Sequence, residues 1–94
     1  MNQTNSSAVS FKDKVLNVVR QIPAGQTMTY KEVAIKAGNP GAARAVGNFM
    51  ARNWDPTVPC HRVLRSDGKL GGYNRGLEEK ERRLRSEGVD KFEK

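Results

Sequence analysis

The chain has little of what would tie it together covalently or hold it in a membrane. It carries one cysteine among 94 residues, so no disulfide forms within it. One cysteine and one histidine fall short of a protein-only four-ligand zinc site. No apolar run approaches the ~18 residues that a membrane span requires. Residues Met1 to Val9 have neither a basic start nor an apolar stretch. No secretory signal is visible there, and a reducing cytoplasm is the expected setting. Acidic residues are the scarcer charge. Ten Asp and Glu against 17 Lys and Arg leave a formal charge of +7. That balance favours an anionic partner, nucleic acid before a membrane surface.

What is present fits one small domain, with a core limited to burying about 60–65% of the unfolded surface. It is expected over residues 10–90, between a disordered tail at 1–9 and a frayed end at 91–94. The tail is small and polar, with too little apolar area to offset the entropy of ordering it. Asn2 and Asn5 each begin a glycosylation sequon, which without a secretory signal is read as incidental.

Phe11, Val15, Val18, Val19 and Ile22 make one apolar stripe at helical spacing. A first helix is expected from Phe11 to Gln21, with Ser10 as its N-cap and Pro23-Ala24-Gly25 as its stop. Thr27-Met28-Thr29 is short and extended. Thr29 with Glu32 forms a capping box for a second helix over Tyr30–Ala37, stopped by Gly38 and turned by Asn39-Pro40. A third helix follows from Gly41 to Arg52. The inner faces are Ala, Val and Gly, which lets two short helices approach as a helix-turn-helix requires. Many small helical corners share that pattern without touching DNA.

After Asn53 the helical period is lost. Four glycines (68, 71, 72 and 76) mark a backbone with unusual angles or a close approach. A charged last helix spans Leu77 to Ser86. Its only apolar residues are Leu77 and Leu84, one heptad apart on one face, and Gly88 closes it.

Two readings stand for each chemically interesting residue. Cys60 is a buried small hydrophobe or a nucleophile. Pro59 before it, and His61 and Arg62 after it, favour the second, because a cationic neighbourhood lowers a thiol pKa. Neighbours on a strand or helix diverge, so the backbone must turn here for Cys60 and His61 to share a proton path. Arg44, among Ala42, Ala43, Ala45, Val46 and Gly47, is an ordinary surface arginine or a cation on a helix shaped to press against a duplex. Tyr30 and Tyr73 pack or act. Trp54 caps the core or stands on a binding face. Glu87 is a surface carboxylate or the group that holds an imidazole in one tautomer.

Pro59-Cys60-His61-Arg62-Val63 resembles the active-site motif of the O6-alkylguanine-DNA alkyltransferases, or methylated-DNA–protein-cysteine methyltransferases. Thr29-Tyr30, Glu32-Val33-Ala34, Gly38-Asn39-Pro40 and Ala42 through Gly47 resemble that family's helix-turn-helix. Gly72-Tyr73, Gly76-Leu77, Lys80 and Glu87-Gly88 resemble its active-site loop and final helix. The likeness runs from about Phe11 to Val89.

The resemblance implies a mostly α fold, α/β only loosely: a winged-helix-like helix-turn-helix beside a short extended active-site segment. It implies binding to double-stranded DNA containing O6-alkylguanine, through Tyr30, Ala42, Arg44, Ala45 and Gly47, in the minor groove. Arg44 would take the place of a flipped-out base, and Tyr30 would crowd its phosphate. Cys60 would accept the alkyl group once, with His61 as base, Glu87 supporting it and Asn53 bracing the turn. Tyr30, Val63, Tyr73 and Asn74 would line the pocket. No metal and no cofactor is implied. The protein would be a monomer, cooperative on DNA, cytoplasmic and nucleoid-associated, or nuclear in a eukaryote.

Two features depart from the family. Only about ten polar residues stand where it has a separate N-terminal domain, and the Asn53–Cys60 interval is one residue shorter. Alkyltransferase-like proteins, which hold the lesion without a reactive cysteine, are the alternative. Retention of Cys60 with His61 and Glu87 argues against it. A generic helix-turn-helix regulator would leave Cys60-His61 without a role.

Overall fold

A computed structural model describes residues 9–93. The expected tail, apart from Val9, lies outside the described residues, as do both sequons. Four helices and a two-stranded sheet follow in order: α1 (Phe11–Arg20), β1 (Met28–Thr29), α2 (Tyr30–Lys36), α3 (Ala43–Arg52), one 3-10 turn (Cys60–Arg62), β2 (Val63–Leu64) and α4 (Leu77–Ser86). The fold is mostly helical, as the sequence implies.

The local rules hold where side chains decide them. The Ser10 hydroxyl accepts from the Asp13 amide at 3.1 Å and caps α1. Both bonds of the Thr29–Glu32 capping box are made, at 2.8 and 3.1 Å. Helix α2 ends in a Schellman motif. Gly38, at φ +96°, donates to Ile35 O at 3.0 Å, and Asn39 N donates to Ala34 O at 2.9 Å. Helix α3 begins two residues later than expected, at Ala43. Its N-cap position is Ala42, which has no side chain to cap with.

The core has two parts. Val15, Val19 and Ile22 of the α1 stripe meet Val33, Ala34 and Ala37 of α2 and Val46 and Met50 of α3. Small residues on α2 let α3 come close, so the corner is built as the pattern predicts. Phe11 closes one end against Phe49, with ring centroids 6.2 Å apart. Leu64, Leu70 and Leu84 form a second cluster with Val89 and Phe92.

The parallel pairing of β1 with β2 sets Met28 beside Val63 and Thr29 beside Leu64. That short ladder ties the start of the helix-turn-helix to the segment that follows Cys60.

Two expectations give way. Leu77 is half exposed, and the buried face of α4 is made by Leu84 with Lys80 instead. The end expected to fray is held through residue 93. Leu70 N donates to Glu93 O and Glu93 N to Gly68 O, both at 2.9 Å. Phe92 adds apolar contact to the second cluster, which local composition does not reveal. Lys94 lies outside the described residues.

Gly71 bears on the site directly. It sits at φ +78°, and a Cβ there would collide with the Tyr30 hydroxyl and lie 2.9 Å from Arg65 Cγ. Gly71→Ala is expected to cost about 2–4 kcal/mol in urea unfolding and to displace Tyr30. A cost below about 0.5 kcal/mol would mean that the loop moves freely away from Tyr30.

Candidate active site

The reactive segment starts from a proline. Pro59 has φ −78° and ψ 69°, an inverse γ-turn that its ring favours, and Cys60 N donates back to Val58 O at 2.8 Å. One turn of 3-10 helix follows, closed by Val63 N on Cys60 O. Successive side chains on a 3-10 turn diverge by about 120°. Cys60, His61 and Arg62 therefore face three ways. The backbone does turn at the point the sequence requires.

Cys60 is buried, 3% exposed. Its sulfur accepts a hydrogen bond from Asn53 Nδ2 at 3.0 Å, and the same amide reaches Asp55 O at 3.3 Å. The one-residue-shorter interval thus still brings Asn53 onto the thiol. An Asx turn shapes the loop: Asp55 Oδ1 accepts from Thr57 N at 2.9 Å. Arg20 of α1 ties this loop to the core through Asp55 at 3.2 Å. On the far side Asn74 Nδ2 donates to Asn53 O in a short hydrogen bond.

His61 is also buried, and its Nε2 lies 2.9 Å from Glu87 Oε2. Arg62 folds back beneath it. Its Nε and Nη2 reach the two oxygens of Glu87 at 3.0 and 2.7 Å, and Nη1 donates to Ile22 O at 2.8 Å. Glu87 is the C-cap of α4, held by a second Schellman motif in which Val89 N donates to Leu84 O at 2.9 Å. A carboxylate at a helix C-terminus is disfavoured by the dipole, and the bidentate guanidinium offsets it.

The protonation states follow. Arg62, with His61, holds Glu87 down to about 2. Burial lowers His61 below 6.5, against the raising pull of Glu87, so the imidazole is neutral at pH 7. Its Nε2–H donates to Glu87, which leaves Nδ1 bare as a base. Burial also pushes the Cys60 thiol up, only partly opposed by the Asn53 bond and the charges of Lys80 and Arg75. The sequence expectation that His61 and Arg62 lower the thiol pKa is therefore corrected. Arg62 is spent on Glu87, and His61 carries no charge.

Cationic support comes from Lys80, which is fully buried. Its Nζ donates to Val63 O at 2.6 Å and lies 3.4 Å from Gly72 O. Burial brings it down to about 8. A visible cue was available: Lys80 stands three residues after Leu77 and four before Leu84, on the face of α4 that the leucines mark.

Cys60 and His61 open on a cleft of about 340 Å³, with Asn53, Tyr73 and Asn74 on its walls and Trp54 and Arg75 at its edge. Val63 does not line it: its side chain is wholly buried, and its carbonyl serves Lys80. A second, wider groove of about 920 Å³ runs between α3 and the glycine loop, past Arg44, Gly47, Tyr30 and Gly71. Ala42 and Ala45 stand half-buried outside its lining. Tyr30 is the floor of that groove. Its hydroxyl accepts from Gly72 N at 3.0 Å, and a Cβ at Gly47 would lie 2.9 Å from its ring. Arg44 is exposed. Tyr73 borders both cavities.

A helix-turn-helix thus stands beside a buried thiol and an imidazole held by a carboxylate. The family model described as "6-O-methylguanine DNA methyltransferase, DNA binding domain" matches residues 10–89, and the chain belongs to that family. It is 50% identical over 80 residues to the methylated-DNA–protein-cysteine methyltransferase of Methanothermobacter thermautotrophicus, covering 84% of this chain and 44% of that one. Among solved structures, Mycobacterium tuberculosis OGT in complex with DNA superposes with a TM-score of 0.79 at 42% identity, over 85% of this chain and 49% of that one. S. pombe Atl1, bound to damaged DNA containing O6-carboxymethylguanine, gives 0.74 at 33% identity, over 94% and 82%. The chain spans about half the length of the curated methyltransferases it matches. No helix among the described residues is long and apolar enough to cross a membrane.

Acid should unsettle this cluster in two stages. His61 has its folded pKa lowered, so the unfolded chain binds that proton first and stability falls as pH drops through about 6.5. Glu87 contributes stability above 4.5 that is lost as pH falls toward about 2. Glu87→Gln is expected to cost about 2 kcal/mol at pH 7 and to remove the lower stage, read by urea unfolding from about pH 3 to 7. An unchanged acid limb in the variant would remove Glu87 from this account.

Proposed function

We propose that this chain repairs duplex DNA by taking an alkyl group from O6 of a flipped-out guanine onto Cys60, each molecule acting once. The observation that carries this reading is a shared border. Tyr73 lines both a groove holding an exposed arginine on α3 and a cleft holding an amide-bound thiol and a neutral imidazole. The family membership and the relative in complex with DNA support it.

The steps follow from the residues. The uncapped α3 N-terminus and the +7 charge favour the phosphate backbone, so binding weakens with salt. Arg44 fills the space of the extruded base, and Tyr30 stands under the target nucleotide. Extrusion is needed because a nucleophile cannot reach O6 within the stack. His61 takes the thiol proton by way of water, since no direct hydrogen bond joins it to Cys60 among the described residues. Glu87 and Arg62 hold the imidazole and stabilise it once charged. The Asn53 amide and the Lys80 ammonium favour the thiolate. Sulfur attacks the alkyl carbon, the carbon–O6 bond breaks, and its electron pair returns to guanine, which takes up a proton. The thioether formed does not hydrolyse, so the cysteine is consumed.

Lesion binding without transfer is the second reading. It is supported by the likeness to S. pombe Atl1, with a TM-score of 0.74 at 33% identity. The retained, hydrogen-bonded thiol supports transfer instead.

Cys60→Ala is expected to abolish transfer and leave binding to an O6-methylguanine duplex within about twofold in a gel-shift titration, since sulfur is not a DNA contact. Loss of binding as well would make the cysteine structural. Arg44→Ala should slow repair of duplex DNA about tenfold or more while sparing reaction with the free alkylated base, because only the duplex needs flipping. Equal losses on both substrates would take Arg44 out of that step. The transfer rate should fall on the acid side with a midpoint below 6.5, where His61 becomes protonated.

A further inference from the structure

The family region ends at residue 89, yet residues 90–93 are held in the fold. Phe92 packs with Leu64, Leu70 and Leu84, and the Arg85 guanidinium of α4 lies 5.2 Å from its ring centroid. Glu93 then pairs with the turn that follows β2. Its N–H donates to Gly68 O and its carbonyl accepts from Leu70 N, both at 2.9 Å. These two bonds flank Lys69, whose own backbone groups face the other way. Its carbonyl accepts from Arg65 N at 2.9 Å, and its N–H donates to Asp67 Oδ1 at 3.1 Å. The stretch 68–70 is therefore held along both edges, by its own turn on one side and by the end of the chain on the other.

That turn borders the groove containing Arg44 and Tyr30, and Ser66 ties it to α2 by accepting from Lys31 N at 3.3 Å. Side chains alternate along extended backbone, so burying Leu70 in the second cluster sends Lys69 outward to the rim of the groove. Arg65 is paired with Asp67 at 3.0 Å, whereas Lys69 has no ion pair among the described residues. An exposed ammonium on a fixed backbone is set in place before an anion arrives. On a loose turn the anion would have to supply the ordering. Resting on the reading that this groove takes duplex DNA, we propose that residues 90–93 are a strap that holds Lys69 against a phosphate of the bound duplex. The strap touches no DNA itself. Phe92 and Glu93 are positioning residues that act through Lys69, Phe92 by anchoring the strap beside Leu70 and Glu93 by its two main-chain bonds.

The test is a salt titration of binding to a duplex carrying O6-methylguanine, with iodoacetamide alkylation of Cys60 as a readout that needs no DNA. Glu93→Pro removes the N–H that Gly68 O accepts, Glu93→Ala keeps both main-chain bonds, and Phe92→Ala removes the anchor. Glu93→Pro and Phe92→Ala are each expected to weaken duplex binding about fivefold and to make the salt slope shallower by about 0.9, the value of one phosphate contact. Lys69→Ala should do the same, and adding Glu93→Pro to Lys69→Ala should cause no further loss. Glu93→Ala should bind within about twofold of the unmodified protein, and the iodoacetamide rate should not change in any of these variants. An unchanged salt slope in both Glu93→Pro and Phe92→Ala overturns the proposal. So does a loss that adds to that of Lys69→Ala, because the strap would then act elsewhere. A changed iodoacetamide rate also overturns it, since the strap would then support the whole domain. Duplex binding without methyl transfer fails the alkyl-transfer reading alone, and the same slopes still decide the strap. No duplex binding by the unmodified protein overturns both.

Discussion

The geometry of the reactive segment is set by a dihedral that Pro59 cannot change. Its ring holds φ near the value that an inverse γ-turn needs, and the chain then enters one turn of 3-10 helix. In an extended strand Cys60 and Arg62 would share one face and His61 the other. The turn gives each its own direction instead: Cys60 to Asn53, His61 to Glu87, and Arg62 under both to Ile22 and Glu87. Three consecutive residues thereby connect the loop after α3, the end of α4 and the end of α1. The short β1–β2 pairing then returns the chain to the helix-turn-helix.

Burial governs the chemistry of that segment. It raises the thiol and lowers the imidazole, so both rest uncharged, while Arg62 and Glu87 neutralise each other. Lys80 is the exception, an ammonium enclosed in the core and held by the Val63 carbonyl. A reactive thiolate is therefore not the resting state. On the proposed function, sulfur becomes nucleophilic as the neutral imidazole takes its proton, with the Asn53 amide and Lys80 favouring the charge that develops, and a resting thiol suits a protein that reacts once, because a standing thiolate would be open to other electrophiles.

Much of the fold could be read from the sequence because it rests on local rules. The α1 stripe, the Thr29–Glu32 box, the Gly38 stop and the small residues between α2 and α3 each act within a few positions. The residues themselves singled out Cys60, His61 and Glu87, the resemblance added Asn53, and the structure sets Asn53 on Cys60 and Glu87 on His61. The less legible features depend on contacts between distant segments. Nothing near Arg62 says that it turns away from Cys60 toward a carboxylate 25 residues on. Val63 is adjacent to the motif yet faces the core. The C-terminal residues look loose until Leu70 and Gly68 supply their hydrogen-bond partners. Lys80 was hidden by its type, since a lysine on a charged helix reads as solvated although its spacing puts it on the buried face.

The central claim is that the sulfur of Cys60 receives the alkyl group. The most direct measurement is the intact mass of the protein after incubation with a duplex carrying a single O6-methylguanine, followed by peptide mapping. The account predicts a gain of one methylene, located on Cys60, at no more than one per molecule. An unchanged mass on a protein that nevertheless binds the duplex tightly would contradict it and leave a domain that recognises the lesion without repairing it.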